Sequence, residues 1–133
     1  MRIVLADREA DLMEVLWEDG PSTVAEVRKR LKVKLAYNTV LSILRTLETK
    51  GYVGHEEEGR AHRYVARVAR DAARHSALRQ LSAKLFKGSV ELLMTSAVSD
   101  KKLSAEEIRR IRTLLEKRAQ GEMVWTPPTS TVK

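Results

Sequence analysis

The stretch AYNTVLSILRTLETKGYVGHEEEGRAHRYVA, residues 36–66, decides the fold of this protein. Its first half repeats apolar residues at helical spacing, which predicts a helix over 36–50. Gly51 follows this helix and predicts its C-terminal end, because glycine readily adopts the left-handed conformation that closes a helix. The side chains expected on the core-facing side of this third helix are Tyr37, Val40, Leu41, Leu44 and Leu47.

The second half of the stretch predicts a β-hairpin. Two short runs, 52–56 and 61–65, alternate roughly with a period of two around Glu58-Gly59. Gly59 supplies the positive φ that a tight hairpin turn requires.

Two further helices precede this stretch. Apolar residues recur at helical spacing between residues 7 and 19, and Gly20-Pro21 ends that first helix. Thr23 and Glu26 form a capping box at the start of a second helix. Three helices followed by a hairpin predict a winged helix-turn-helix, in which the third helix enters the major groove of DNA and the hairpin forms the wing.

The second half of the chain predicts three amphipathic helices, so the expected fold is mainly α with a small β wing. Ser104 and Glu107 form a second capping box at the start of the last helix. Three short helices bury little surface on their own, and we therefore expect them to form a dimerisation domain. The expected interface residues are Leu78, Leu81, Leu85, Leu93, Ile108, Ile111 and Leu115, with Ile108, Ile111, Leu114 and Leu115 as the buried stripe of the last helix.

We therefore predict three parts of the chain: a DNA-binding winged helix at 1–68, a helical dimerisation domain at 69–119 and a flexible tail at 120–133. The tail is predicted from its Gly, Pro-Pro and Thr/Ser content, which shows no periodicity.

The charge of the chain is unevenly distributed. The 133 residues carry a net charge of +7 and give a pI near 9.9, which suits a polyanionic partner. Residues 1–27 hold two Arg against seven acids, whereas residues 28–50 hold seven Lys/Arg against the single Glu48. The basic block coincides with the third helix, which favours nucleic acid as the partner.

Composition also excludes several classes of protein. The chain has no cysteine, which excludes disulfides, thiolate metal sites and cysteine nucleophiles. No apolar run approaches the roughly 18 residues that span a bilayer, and no secretory signal is recognisable, so a cytoplasmic protein without a lipid partner is expected. Phosphate loops, nucleophile elbows and paired catalytic carboxylates are missing, which argues against an enzyme and against a bound cofactor.

A polar stripe follows the face of the third helix opposite its apolar side. Asn can pair with an adenine edge, Thr and Ser can meet bases or phosphates, and the Thr methyl group suits thymine. The residues of this stripe follow i, i+1, i+4, i+7, i+8 and i+11 spacing: Asn38, Thr39, Ser42, Arg45, Thr46 and Thr49. An ordinary solvated face would carry more Glu and Lys, so we expect the stripe to contact DNA.

The hairpin carries both acids and bases. Glu56, Glu57 and Glu58 repel phosphates, yet Arg60 and Arg63 follow closely. Arg60 lies beside the turn and is the best candidate to reach the DNA backbone or the minor groove, and Arg63 is a further candidate. The three histidines, at positions 55, 62 and 75, lack the spacing of metal ligands and are interpreted as surface residues without a metal.

Three segments resemble the penicillinase-repressor family, also called BlaI/MecI/CopY: LADREADLMEVLWEDGPSTVAEVRKRL, AYNTVLSILRTLETKGYVGHEEEGRAHRY and LSAEEIRRIRTLLEK. The resemblance covers about residues 4–118. It implies a homodimeric transcriptional repressor that binds a palindromic operator in double-stranded DNA. It also implies base and phosphate contacts at the start of the recognition helix and at the wing arginine, which match Asn38, Thr39, Ser42 and Arg60.

The resemblance further implies a proteolytic switch. Related repressors are inactivated when a membrane sensor-metallopeptidase, or a protease downstream of it, brings about cleavage in the dimerisation domain. The matching stretch here is ELLMTSAVSD, with the cleaved bond most nearly at Ser96-Ala97. The copper-responsive branch of the family ends in a cysteine cluster, which this chain lacks.

Two alternatives remain open at the level of the sequence. The acidic first helix and the triple-Glu wing fit a winged helix that binds proteins instead of DNA. A ligand-responsive regulator without proteolytic switching is the second alternative, because an effector pocket between the dimerisation helices leaves no clear mark in a sequence.

Overall fold

The structure is a computed structural model that describes residues 2–121 of the chain. The order and type of the elements agree with the predicted mainly α winged helix-turn-helix. Within the described residues the elements are α1 (Asp7–Asp19), β1 (Ser22–Thr23), α2 (Val24–Arg30), α3 (Tyr37–Thr49), β2 (Val53–Glu58), β3 (Ala61–Ala66), α4 (Arg70–Leu85), α5 (Val90–Val98) and α6 (Ala105–Ala119).

The chain divides into two compact units, the first ending at Ala77 and the second beginning at Leu78, so that the division falls inside α4. The boundary predicted from the sequence lies between residues 68 and 69, just before this helix. The tail predicted at 120–133 lies almost entirely outside the described residues, which end at position 121.

The first unit contains a three-stranded antiparallel sheet with the strand order β1-β3-β2. β2 and β3 form the predicted hairpin, and Gly59 in its turn has a φ of +62°, the conformation for which glycine is favoured. The two-residue strand β1 was not predicted, because Ser22 and Thr23 are too few to show an alternating pattern. It pairs with β3 and so attaches the start of α2 to the wing.

The predicted capping box of α2 is present. The Glu26 N–H donates to the Thr23 hydroxyl over 3.2 Å, and the Thr23 N–H donates to Oε1 of Glu26 over 2.9 Å. Both bonds satisfy backbone N–H groups that would otherwise lack partners at the start of a helix. The orientation of α2 is therefore fixed locally, directly ahead of the recognition helix α3.

One hydrophobic core holds α1, α2, α3 and the sheet together. Its largest fully buried side chains include Tyr64 from β3. The buried apolar residues of this unit are Ile3, Leu12, Met13, Val15, Leu16, Val24, Val27, Val40, Leu44, Leu47, Tyr52, Val53, Tyr64 and Ala73.

The predicted apolar side of α3 is correct in its centre and wrong at its start. Tyr37 is 46% exposed and Leu41 is half-buried. Tyr37 is the first residue of the helix, and only residues from the second turn onward reach the core. Periodicity identifies the face of a residue but not where along its helix the core begins.

In the second unit α5 and α6 begin with side-chain caps. The Ser89 hydroxyl accepts from the Leu92 N–H over 3.0 Å, and the Ser104 hydroxyl accepts from the Glu107 N–H over 3.1 Å, as the second capping box predicted. The buried stripe predicted for α6 is wrong for the single chain, because none of its described residues is buried. Ile108 and Leu115 are exposed, while Ile111 and Leu114 are half-buried.

Candidate nucleic-acid interface

Helix α3 separates an apolar face from a polar one. Val40, Leu44 and Leu47 are completely buried in the core. The polar stripe of α3 comprises six residues, all exposed: Asn38, Thr39, Ser42, Arg45, Thr46 and Thr49. Five of them, with the half-buried Leu41, line an open concavity of about 340 Å³ along the helix. The stripe contains no acid, so this surface is compatible with a polyanion.

The side chains of the stripe differ in the hydrogen-bond donors that they offer. The Thr46 hydroxyl donates to the Ser42 carbonyl over 3.1 Å, and the Thr49 hydroxyl donates to the Arg45 carbonyl over 3.0 Å. Such bonds back to the helix use the only proton of each hydroxyl. Both threonines therefore present a methyl group and oxygen lone pairs outward, which suits thymine methyl groups better than phosphate oxygens.

Side-chain hydrogen-bond donors that the fold does not use remain at the N-terminal start of the stripe. The side chains of Asn38, Thr39 and Ser42 have no hydrogen-bond partner among residues 2–121. Ala36 occupies the N-cap of α3 and, having no polar side chain, makes no capping bond. The first N–H groups of α3 thus lack the caps seen on α2, and they add to the positive end of the helix dipole. This end of α3 can hold an anion and donate to base edges.

The wing places Arg60 at its tip. The residue is exposed in the turn between β2 and β3 and makes no ion pair or hydrogen bond with any part of the chain that the structure describes. The neighbouring Glu58 is in contact with Arg63 instead. Arg60 is therefore available to a partner outside the chain.

Arg63 is held within the protein by three bonds. Its Nε donates to Oε2 of Glu58 over 2.6 Å, and its Nη1 donates to the Pro21 carbonyl over 3.0 Å and to Oε1 of Glu26 over 3.1 Å. The bond to Glu58 and the nearby charge of Glu26 raise the pKa of Arg63 above its ordinary value, against a smaller opposite effect of burial. Arg63 thus connects β3 to Glu26 in the capping box of α2 through a hydrogen bond. The sequence did not indicate this role.

Several basic residues of the 28–50 block also have partners inside the protein. Nζ of Lys50 lies 2.8 and 2.9 Å from the two carboxylate oxygens of Glu9, which is buried. Arg28 donates to the Leu35 carbonyl over 2.9 Å. The positive surface left for a partner is consequently smaller than the count of charges implied. Its exposed members with neither an ion pair nor a side-chain hydrogen bond in the described range are Lys29, Lys32, Lys34 and Arg45.

A cluster of rings at the base of the wing was missed from the sequence. His55 and His62 stack with ring centroids 4.4 Å apart, and Nδ1 of His55 lies 2.6 Å from Oε2 of Glu48 on α3. Both histidines are exposed, as predicted. In the sequence, the signal for this stacking was the position of the two histidines in the alternating runs of two strands that pair. Among residues 2–121 no group of three or more His, Cys, Asp or Glu is arranged to hold a metal ion.

The residues predicted for dimerisation lie in the second unit. Leu93 is 9% exposed, whereas Leu85 and Leu115 are 67% and 57% exposed. Leu78, Leu81 and Ile108 are exposed as well. An apolar surface of this kind is unusual for a lone soluble domain unless it has a partner.

Ser96 and Ala97, the predicted position of a cleaved bond, are both exposed in the second half of α5. The Ser99 hydroxyl donates to the carbonyls of Thr95 and Ser96 over 3.0 and 2.9 Å. The Ser96-Ala97 peptide bond therefore lies within the helical backbone of α5. In the described part of the chain no helix is long and apolar enough to cross a membrane.

Comparison with known protein families identifies a match over most of the chain. The sequence profile described as "Penicillinase repressor" matches residues 5–117. The chain is 25% identical over 118 residues to the penicillinase repressor of Bacillus licheniformis, covering 84% of this chain and 89% of that protein. It is 18% identical over 116 residues to the methicillin resistance regulatory protein MecI of Mammaliicoccus sciuri, covering 86% and 94%.

A third relative matches over a shorter region. The transcriptional regulator BlaI of Mycobacterium tuberculosis is 39% identical over 70 residues, which are 50% of this chain and 51% of that protein. Among solved structures, a MarR family protein from Bacillus stearothermophilus aligns with a TM-score of 0.49 and 18% identity, covering 90% of this chain and 76% of that chain. A variant of ZitR from Lactococcus lactis aligns with a TM-score of 0.45 and 17% identity, covering 91% and 77%.

Proposed function

This chain belongs to the penicillinase repressor family, and from that premise we propose that it is a DNA-binding transcriptional repressor that binds a palindromic operator as a homodimer. The observation that carries the proposal is the acid-free, exposed polar stripe of α3, set opposite a completely buried apolar face. Repressors act by occupying DNA, so the proposal requires no catalytic group.

In this proposal the start of α3 reads bases in the major groove. Asn38, Thr39 and Ser42 are assigned to base edges and to the nearest phosphates, because their side chains keep donors that the fold does not use. Arg45 is assigned to a phosphate further along the groove, and Thr46 to a contact with a thymine methyl group. The uncapped N–H groups of α3 support a phosphate at its N-terminus.

The wing is assigned a single DNA contact, made by Arg60 to the backbone or the minor groove. Its exposed position in the turn and its lack of partners within the described residues support this role. Arg63, predicted from the sequence as a second contact, is reassigned as a positioning residue. Its three bonds to Glu58, Pro21 and Glu26 favour a role in orienting the wing over one in binding phosphate.

Dimerisation is assigned to the helical second unit. The exposed apolar side chains of α4 and α6 support it, because a second copy would cover surface that the single chain leaves in water. Two winged helices related by a two-fold axis match a palindromic site, and the spacing of its half-sites follows from the dimer.

Relief of repression is assigned to cleavage at Ser96-Ala97 in α5. The bond is exposed, and α5 has nine residues, fewer than the roughly 12–15 at which an isolated helix becomes marginally stable. Local unwinding of α5 therefore requires little free energy. A protease needs such unwinding, because its active site binds its substrate as an extended segment. The proposed partners in this step are a membrane sensor-metallopeptidase or a protease downstream of it.

The decisive experiment is a footprint of the purified full-length protein on the DNA upstream of its own gene, repeated at several salt concentrations. We expect protection of two half-sites related by a dyad, and affinity that falls steeply as salt rises. Binding that shows neither protection nor salt dependence would favour a winged helix that binds proteins.

A further inference from the structure

A groove of about 470 Å³ lies between α1 and the segment that joins α2 to α3. Its α1 wall carries four carboxylates, from Asp11, Glu14, Glu18 and Asp19. The opposite wall carries two cations, Arg30 and Lys32. None of these residues belongs to the polar stripe of α3 or to the wing, although Lys32 is also part of the positive surface of the 28–50 block.

Most of the acidic wall already has counter-ions in its own chain. Nη1 of Arg8 lies 3.0 Å from Oδ2 of Asp11. Nη2 of the buried Arg70 lies 3.0 Å from Oε2 of Glu14 and 3.5 Å from Oε1 of Glu18. Two cations thus face three carboxylates, so most of the negative charge of these three residues is already compensated within the chain.

One acid and two bases of the groove have no ion pair among residues 2–121. Asp19, on the acidic wall, is exposed and has no cation within pairing distance in that range. Lys32, on the basic wall, is exposed and equally without a carboxylate. Arg30 donates to the Ser22 hydroxyl over 3.1 Å and forms no salt bridge in the described part of the chain, although its charge helps to lower the pKa of Glu26. The groove thus offers uncompensated charge of both signs, one on each wall.

We propose that this groove is a contact surface between two copies of the protein bound at neighbouring sites on one DNA molecule. A two-fold rotation places the basic wall of one copy against the acidic wall of the other, so that two Asp19–Lys32 pairs form at once. A partner with charge of only one sign would leave one wall of the groove without opposite charges. This favours a second copy of the chain as the occupant. The inference rests on the proposed function, since DNA supplies the neighbouring sites.

The contact is expected to be weak in free solution and effective only on DNA. Exposed ion pairs contribute little individually and are screened by salt. Two copies held on one duplex, however, meet at an effective concentration in the millimolar range, at which a weak contact becomes measurable. We expect the second of two adjacent sites to be filled about three- to tenfold more tightly than the first at low salt.

The test compares two duplexes recovered with the wild-type protein from a randomised library, one carrying a single site and one carrying two tandem sites at varied spacing. The readout is the ratio of second-site to first-site affinity, because Lys32 also adds to the positive potential of the protein and K32E lowers absolute affinity. Wild-type protein should show cooperativity at one spacing. Asp19→Lys and Lys32→Glu should each abolish it, and the double variant, which exchanges the charges, should restore it.

The outcomes separate this inference from the proposed function. Single-site binding with independent filling of tandem sites overturns the groove contact and leaves the repressor proposal intact. If the wild-type protein recovers no bound duplex from the library, both the repressor proposal and the groove contact are overturned. Loss of cooperativity in the single variants without recovery in the double variant also overturns the pairing of Asp19 with Lys32.

Cross-linking gives a second measurement that does not depend on affinity. The chain contains no cysteine, so Asp19→Cys and Lys32→Cys each introduce one unique thiol. In an oxidising buffer a mixture of D19C and K32C proteins should form the mixed disulfide faster on the tandem duplex than on the single-site duplex. Equal rates on both duplexes contradict the proposal.

Discussion

Residues of the same type along α3 are not equivalent as donors to DNA. The hydroxyl protons of Thr46 and Thr49 bond to carbonyls of their own helix, whereas the side chains of Asn38 and Ser42 have no hydrogen-bond partner within residues 2–121. Their spacing alone places all of them on one stripe, and only the family resemblance favoured the first three. Hydrogen bonding within the fold therefore ranks the candidates, with the first turn of α3 ahead of the last.

Asn38→Ala is expected to change the preference of the protein at one operator position. Loss of a bidentate contact to a base costs about 1–3 kcal/mol for the preferred base and little for the others. Affinities for duplexes substituted at each position in turn measure the effect. Thr49→Ala is the matched control, because the Thr49 hydroxyl is already bonded to Arg45. Uniform weakening on every duplex would show that Asn38 reads no base.

Arg60→Ala is expected to weaken binding on all sequences and to flatten the plot of log affinity against log salt by about one unit, as loss of one phosphate contact requires. Arg63→Ala provides the contrast. It should lower affinity and the thermal midpoint by releasing β3 from Glu26 and Glu58, yet leave the salt slope unchanged. If instead Arg63→Ala flattens the slope and Arg60→Ala does not, the two roles are reversed.

The elements of the first unit are joined by polar contacts as well as by the apolar core. The Lys50–Glu9 pair connects the end of α3 to the start of α1, and the Ala6 N–H adds a further bond of 2.8 Å to the same carboxylate. Burial alone would raise the pKa of Glu9, but the bonds from Lys50 and Ala6 and the charge of Lys50 outweigh it and lower that pKa. The contribution of this pair to stability therefore depends on the protonation state of Glu9.

The pH dependence of stability should reveal this coupling. Because folding lowers the pKa of Glu9 below its ordinary value of 4.5, the pair stabilises the protein above that pH, and this contribution is lost as the pH falls through the folded-state pKa. Lys50→Met should lower the free energy of unfolding at pH 7 by about 1.5–3 kcal/mol and reverse the local slope, since burial then raises the pKa of Glu9.

Urea unfolding from pH 3 to pH 7 measures both effects. Arg8→Met is the control, because its pair with Asp11 is solvent-exposed and contributes little. Parallel curves for wild-type and Lys50→Met protein would contradict the assignment.

Helix α5 is expected to be the element most open to proteolysis. Nine residues make a marginal helix, and Ser96 and Ala97 are exposed within it. Brief treatment with subtilisin, followed by mass spectrometry, should place the earliest cut between residues 2 and 121 inside Val90–Val98. An earliest cut in α3 or in the wing would argue against α5 as the site of a proteolytic switch.

At the scale of the whole molecule, the exposed apolar residues of the second unit predict a dimer. Leu115→Glu should produce monomers in sedimentation experiments, because it places a charge on the surface that a second copy would cover. Affinity for a palindromic duplex should fall about 100-fold or more as the second winged helix is lost. Thr113→Glu, on the same helix and also exposed, is the matched control. A Leu115→Glu protein that remains dimeric would place the interface elsewhere.

Local features of the sequence predicted the elements well. The capping boxes at Thr23 and Ser104, the hairpin turn at Gly59 and the buried centre of α3 were all readable, because each depends on residues within a few positions of one another. The start of α3 was predicted wrongly, and the predicted stripe of α6 is not buried within the single chain. Periodicity assigns a face to each helix but does not say whether anything in the same chain covers that face.

The sequence by itself determined the helices, the hairpin and the polar face of the third helix, since the spacing of neighbouring side chains sets each of them. Only the tertiary structure decided which charges remain available to a partner. Lys50 pairs with Glu9 across 41 positions, and Arg63 pairs with Glu26 across 37, so neither is free as its place in a basic or wing segment implied. Such contacts depend on distances between elements, and those distances are set when the core packs.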